Sequence, residues 1–478
     1  MTWINGLLIT ALAFFIVFPS ESGLCLWPNV PEQNVPVCVA EDVQEFPVLV
    51  EDGSGGVIVA WHDIRSGNRD VYAQRINADG EVLWAKDGIP VYTGKGEQGW
   101  PIAVSDGTGG AIIAWMDSRY SIQDIYAQRV DANGKLLWDA AGVPVCVDDV
   151  LQEDVMAIAD GSGGVFLTWE DWRNGNQDLY TQHLNADGKP VWAKNGVPAC
   201  KAEGDQYDPS VTTDGKGGAI FAWWDISSPD WNIRAQHLDV NGNPVWGESG
   251  VAVCDEPGAQ GNPFIVSDGA GGAYVIWVDY RKDEMMMFAN GDIYVQHLDA
   301  NGTLLWPKGG IPLCDLPSNQ QQPAIISDGT GGAIITWWDE RDVYSDIYVQ
   351  RIKGTRLPKA DVSGNGKMLW QANGLPVCVA EGLQREPQLI SDGAGGAIIY
   401  WNDYRRDYGE QTADDIYVQR LNATGEILWG HNGAAVCTAD GPQITPYAAA
   451  AGEGGIFIAW TDKRNGEEDI YIQRISFK

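Results

Sequence analysis

Positive charge is in short supply in this chain. It carries 31 Lys and Arg against 65 Asp and Glu, a formal net charge of -34. Such a surface repels phosphate backbones and anionic headgroups, which excludes nucleic acid and anionic membrane surfaces as partners. Histidine is scarcer still, at 5 residues, and neither a Cys-x-x-Cys nor a His-x-x-x-His spacing occurs, so zinc is not expected. No two cysteines are adjacent. Long Ala/Leu/Glu/Lys stretches of helical period are missing, and past residue 22 no apolar run is long enough to cross a bilayer. An integral membrane protein is therefore not expected.

The first 22 residues differ from the rest. The run from Gly6 to Phe18 is apolar but too short to span a membrane, and Ser20 and Ser22 supply the small residues of a cleavage site. Residues 1–22 read as a signal peptide, which implies an extracellular or periplasmic protein. Lipidation at Cys25 is the rival reading, weakened by Leu24 in front of it.

What is abundant is Trp, at 22, and Gly, at 58. They recur in one unit: D-G-x-G-G, an apolar run ending in W-x-D-x-R, then D-I-Y-x-Q, a second Gly turn, L-W and P-V-C. The first Trp of the unit stands at 61, 115, 169, 223, 277, 337, 401 and 460, and the first four intervals are 54 residues each. Four short strand signals per unit, repeated without helices, make the chain all-β, an eight-bladed β-propeller of four-stranded antiparallel blades. The last unit stops at DIYIQRISFK, before its final strand, and the segment beginning GLCLWPN looks like that missing strand. Closure by both termini removes the free edge, so residues 23–478 are expected to form a single closed ring, and a monomer.

The stretch IYAQRVDANGKLLW (125–138) and its copies resemble the tryptophan-docking motif of eight-bladed quinoprotein-like propellers. That resemblance implies that Trp84, Trp138, Trp192, Trp246, Trp306, Trp370 and Trp429 dock onto neighbouring blades. DWRNGNQDLY (171–180) is similar to the repeat of Tol-system translocation propellers. A quinoprotein-like dehydrogenase would need an acidic Ca²⁺ cluster and often a vicinal cysteine pair, and the pair is missing.

The repeated polar residues read as structural. Arg65, Arg119, Arg173 and their copies suit a bidentate fork that ties the Asp63-type and Asp70-type carboxylates of one loop. Gln74 and its copies read as buried amides that satisfy backbone. Seven cysteines share one slot (Cys38, Cys146, Cys200, Cys254, Cys314, Cys378 and Cys437), with Tyr92 in the eighth. Around an eightfold ring these lie too far apart to bridge, so they are expected as buried free thiols; a bridge from Cys25 to Cys38 or Cys437 is the one pairing left open. The D-G-x-G-G aspartates (Asp52, Asp106 and their copies) read as turn formers, with Ca²⁺ as the one cofactor such acidic turns leave open.

Function is expected where the repeat is broken. Blade 4 has Ser227 in the Arg slot and a loop carrying Asp230 and Trp231. Blades 5 and 7 lengthen the same loop, bringing Tyr280, Lys282 and Asp283, and Tyr404, Arg406 and Tyr408, while blade 3 offers Trp172. Blade 6 is lengthened in its third-to-fourth connection, on the opposite face. Aromatic rings beside carboxylates suit a glycan or a protein partner. The expected function is a non-catalytic binding or scaffolding propeller. The alternative is a carbohydrate-active enzyme, a glycoside hydrolase or polysaccharide lyase, for which no pair of catalytic carboxylates can be nominated.

Overall fold

A computed structural model of the protein describes residues 27–477, apart from 29, 201, 228–229, 283–289, 315, 354–367, 407–413 and 453. Blade 1 shows how the repeat folds. Gln44–Glu51 runs innermost along the axis, Val57–Asp63 follows buried throughout, Asp70–Ile76 is buried except at Tyr72 and Arg75, and Ile89–Tyr92 forms the outer edge. Eight such four-stranded sheets are present, and the first strands of successive blades contact each other around the ring. The protein is an all-β, eight-bladed propeller.

Closure comes from the N-terminus, as expected, but through a different segment. Val35–Cys38 pairs antiparallel with Asp469–Ser476 and supplies the fourth strand of blade 8. In every blade the fourth strand is the P-V-C stretch. The segment leading into the second Trp makes only a single bridge, as in Val130↔Leu136. Trp27 instead packs 5.6 Å from the ring of Phe457 in blade 8 and donates its indole N–H to Ala78 O in blade 1, at 2.8 Å. It locks the closed seam as its copies lock the others. Trp138 Nε1 reaches Ala186 O in the next blade at 3.1 Å, and Trp192 and Trp246 repeat the contact. The close approach explains a glycine: a Cβ on Gly188 would lie 2.7 Å from the Trp138 ring.

A second, polar knot holds each blade beneath its second-to-third loop. The first Trp of every unit is fully buried, and in seven blades its Nε1 donates to the Asp two residues on, as Trp115 does to Asp117 at 2.8 Å. Arg119 forks onto the same carboxylate, with Nε at 2.8 Å, and its guanidinium lies 3.7 Å from the Tyr126 ring centre. In six blades the Arg also donates to the slot cysteine, as Arg65 does to Cys38 at 2.9 Å. The seven described cysteines of that slot are free and buried, and burial pushes each thiol up to about 12. Cys25 lies outside the described residues.

Two expectations about this knot change. The Arg does not reach the Asp70-type carboxylate; Ser66 and Asn68 bond Asp70 instead. Blade 4 is also less broken than its sequence suggests. Arg234 stands where other blades have Tyr, and from that strand position its Nε lies 3.6 Å from Asp225 and bonds Ser249 O at 3.2 Å. A guanidinium delivered from the third strand thus fills the place vacated at Ser227.

The expected role of the glutamines is met. Gln128 is fully buried, donates to Asp139 O at 2.6 Å and accepts from the N–H groups of Arg129 and Trp138.

Candidate functional site at the channel mouth

The first strand of every blade carries a bulge. Its sequence is Gln-x-X-Pro, with Val155 replacing proline in blade 3. The register slips there, for example between Glu45 and Val48 and between Tyr207 and Ser210. The residue X takes a left-handed backbone conformation in all eight blades: Phe46 (φ 54), Trp100 (48), Asp154 (49), Asp208 (50), Asn262 (52), Gln322 (48), Glu386 (55) and Thr445 (51). For residues such as Phe, Trp and Thr this backbone is costly, and it persists where the surroundings impose it. Here the preceding Gln is buried and its amide holds the incoming connection, as Gln44 Nε2 does on Asp42 O at 2.8 Å.

These eight positions sit on the innermost strands, at the end of the channel shared by the second-to-third loops. Six of them, Trp100, Asp154, Asp208, Asn262, Gln322 and Glu386, line one cavity of about 580 Å³, floored by Met116, Met156, Phe264 and Gln388. Exposed aromatic rings gather along the same axis: Phe46 is 40%, Trp100 42%, Phe264 36% and Tyr447 40% exposed.

The rim is chemically uneven. Blades 1 and 2 give an aromatic arc, in which Phe46 and Trp100 flank the His62 ring at 5.1 and 6.2 Å, and Arg69 covers Trp100 at 5.2 Å. Burial holds His62 below its ordinary range although Glu45 lies 3.1 Å from Nε2. Blades 3 and 4 give an acidic arc. Glu170 is 2% exposed, and burial pushes its carboxyl up to about 8. One of its oxygens accepts from the Asp208 backbone N–H at 2.8 Å and the other is bonded to Gln177, so Glu170 braces the bulge rather than opening onto the cavity. Asp208 is raised too, by burial and then by the neighbouring charge of Asp154. In blades 6 to 8 the rim side chains are held from the second strand. Gln322 accepts from Trp338, Glu386 from Asn402, and Thr445 shares a hydrogen bond with Thr461.

The loop residues singled out from the sequence do not form one surface of free rings. Tyr280 is 7% exposed and its hydroxyl bonds Gln321 at 2.9 Å, so it belongs to the core between blades 5 and 6. Trp231 is half-buried, packed edge-on against Trp224 at 4.9 Å. Asp230 accepts from Gly258 N–H at 3.3 Å, Lys282 pairs with Asp292 at 3.1 Å, and Arg406 forks onto Asp415 at 2.6 and 2.7 Å. Tyr404 is half-buried, and burial raises its hydroxyl, with Asp414 and Glu386 adding to the effect. Trp172 stays exposed on its loop. Asp283 and Tyr408 lie outside the described residues. The rim escaped notice because it is not an insertion. Its one signal in the chain is the Gln-x-X-Pro stretch, in which the Gln repeats in all eight blades and the Pro in seven while both x and X vary.

The D-G-x-G-G aspartates form turns as expected. Among the described residues no group of three or more His, Cys, Asp or Glu side chains is arranged to hold a metal ion, and no helix is long and apolar enough to cross a membrane.

No family profile and no curated protein sequence matches the chain. Solved structures do align with it. A protein of unknown function from Dyadobacter fermentans aligns over 93% of this chain and 98% of its own, at 8% identity and a TM-score of 0.42. A PL25 ulvan lyase aligns over 93% and 96%, at 11% identity and a TM-score of 0.45. A putative TolB from Agrobacterium tumefaciens aligns over 81% and 93%, at 11% identity and a TM-score of 0.33. What they have in common with this chain is the propeller fold.

Proposed function

We propose that this protein is an exported, non-catalytic binding propeller that takes its ligand at the mouth of the central channel. The observation that carries the reading is the rim itself. Six bulge side chains from six blades converge on one cavity, and they differ in nearly every blade although the Gln two residues before them repeats in all eight. The cavity falls within the size range of ordinary ligand sites. The apolar leader at 1–22 supports a location outside the cytoplasm. Glu170, an acid of the channel mouth whose carboxyl burial pushes up to about 8, is occupied in bracing the Asp208 backbone, which favours binding over hydrolysis.

The test is binding to glycan and peptide arrays by the wild type, Trp100→Ala and Trp172→Ala, with a parallel assay for released reducing ends. Capture lost in Trp100→Ala and kept in Trp172→Ala is expected. Capture that depends on Trp172 alone would return the site to the loops, and turnover abolished by Asp208→Asn would make the protein an enzyme.

A further inference from the structure

The cavity wall carries negative charge from three carboxylates and no positive charge, and that imbalance narrows what it can hold. Asp154, Asp208 and Glu386 face it from three blades. The lining residues include no Lys, Arg, His, Ser, Thr or Tyr, and the donors among them are the carboxamides of Asn262, Gln322 and Gln388 and the indole of Trp100. Almost every other aspartate beneath the loops or in the turns is bonded within the protein, whereas no described residue donates to the carboxylates of Asp154 or Asp208. A further acceptor lies close by. Asn402 is 3% exposed and spends its amide N–H on Glu386 at 2.9 Å, while its own Oδ1 finds no donor among the described residues.

We infer that the group bound at the channel mouth is an organic cation, the guanidinium or ammonium of a basic side chain carried on a partner peptide. This deepens the channel-mouth reading and rests on it. An anionic glycan would meet three carboxylates with no cation on the wall. A neutral glycan would leave the charges of Asp154 and Asp208 uncompensated. A guanidinium or ammonium donates only, so it matches such a wall and offsets the mutual repulsion of Asp154 and Asp208. The apolar surfaces suit the stem of such a side chain. Met116 and Met156 are adaptable thioethers, and Trp100 and Phe264 present ring faces to which a cation is attracted. One face of Trp100 already carries Arg69 at 5.2 Å, an internal example of the same pairing.

The experiment must separate this site from general attraction to an acidic protein. Tetra-arginine and tetra-lysine peptides are titrated calorimetrically at about 0.15 M salt, where charges beyond roughly 8 Å are screened. Tetra-glutamate and neutral chitotetraose run alongside, and deacetylated chitotetraose supplies the same cation on a sugar. The proteins are wild type, Asp154→Asn/Asp208→Asn and Trp100→Ala. Each variant leaves most of the net charge in place, so nonspecific attraction stays nearly constant. The expected result is binding of the basic peptides that falls at least tenfold in both variants with unchanged melting temperature, with the deacetylated sugar binding more weakly. Neutral chitotetraose bound through Trp100 but indifferent to the two aspartates would overturn the cation and leave the channel mouth as the site. Tighter binding of the deacetylated sugar than of the peptides would overturn the peptide as carrier. Peptide binding identical in all three proteins would overturn both readings, and no peptide binding would overturn the cation.

Discussion

Two rings of aspartates run around this propeller, one on each face, and they behave in opposite ways. The D-G-x-G-G ring lies in the turns between first and second strands. Asp106 is 1% exposed, and burial alone would raise its carboxyl. It is held below the ordinary range because the N–H groups of Thr108 and Gly110, the Thr108 hydroxyl and Arg129 all donate to it. Asp52, Asp160, Asp214, Asp268 and Asp328 are lowered likewise, with Arg or His as the charged partner. The second ring opens the third strands under the loops. Asp70 has three donors and is still raised by burial. Asp124 has the backbone N–H of Asp148 and is pushed up to about 6; Asp346 accepts from no described residue and rises to about 7. Asp415 stays near 6 even with the Arg406 fork, because it is fully buried. The same residue type, equally repeated, becomes a strong or a weak acid according to whether two backbone N–H groups and a cationic side chain face it together.

The comparison can be broken most sharply at its strong-acid end. Asp106→Ala should cost about 2–4 kcal/mol in chemical denaturation, since it strands a buried N–H and a paired guanidinium together. Asp124→Asn should cost much less and should stabilise at pH 8. An equal loss at both sites would show that the cradle of backbone N–H groups and a cation does not govern the difference.

The pH profile follows from the signs. Carboxyls lowered by folding add stability that is present above their unfolded value near 4 and is lost as pH falls from there through the lower folded value. Those raised by folding bind protons more tightly in the native ring, so their contribution declines as pH rises from about 4 to about 7. Thermal melting should therefore peak near pH 5, fall steeply below about 3.5, and lie a few degrees lower at pH 8 than at pH 5. A flat profile from pH 5 to 8 would count against the raised ring.

Asp346→Asn sharpens the same point with a smaller effect. It should flatten the melting slope between pH 5 and 8 while leaving the acid limb alone, which reduced self-repulsion of the whole acidic surface cannot mimic. The smallest expected effect is Trp172→Ala. This exposed loop residue belongs to neither ring, and its removal should move stability by no more than about 0.5 kcal/mol.

The loops also show why the site was less legible than the fold. Tyr280 and Trp231 stand out in the sequence as aromatics beside broken repeats, yet one is core and the other half-buried. Insertion length says where a loop leaves the scaffold, but not which way its rings turn. The Ser227 gap looked like a loss, and Arg234 repairs it from a neighbouring strand; only the pairing of the two strands brings those positions together.

The sequence by itself determined the blade count, the extent of the repeating unit and closure of the ring by an N-terminal segment. All of these follow from a period that is written along the chain and from apolar alternation within each unit. Tertiary structure decided which N-terminal segment closes the ring, the acid strength of each aspartate ring, and the convergence of Trp100, Asp154, Asp208, Asn262, Gln322 and Glu386 on one cavity. Those residues stand one repeat apart in sequence. They meet because the innermost strands crowd around a common axis and bulge where they enter it, and no local pattern in the chain records that radius.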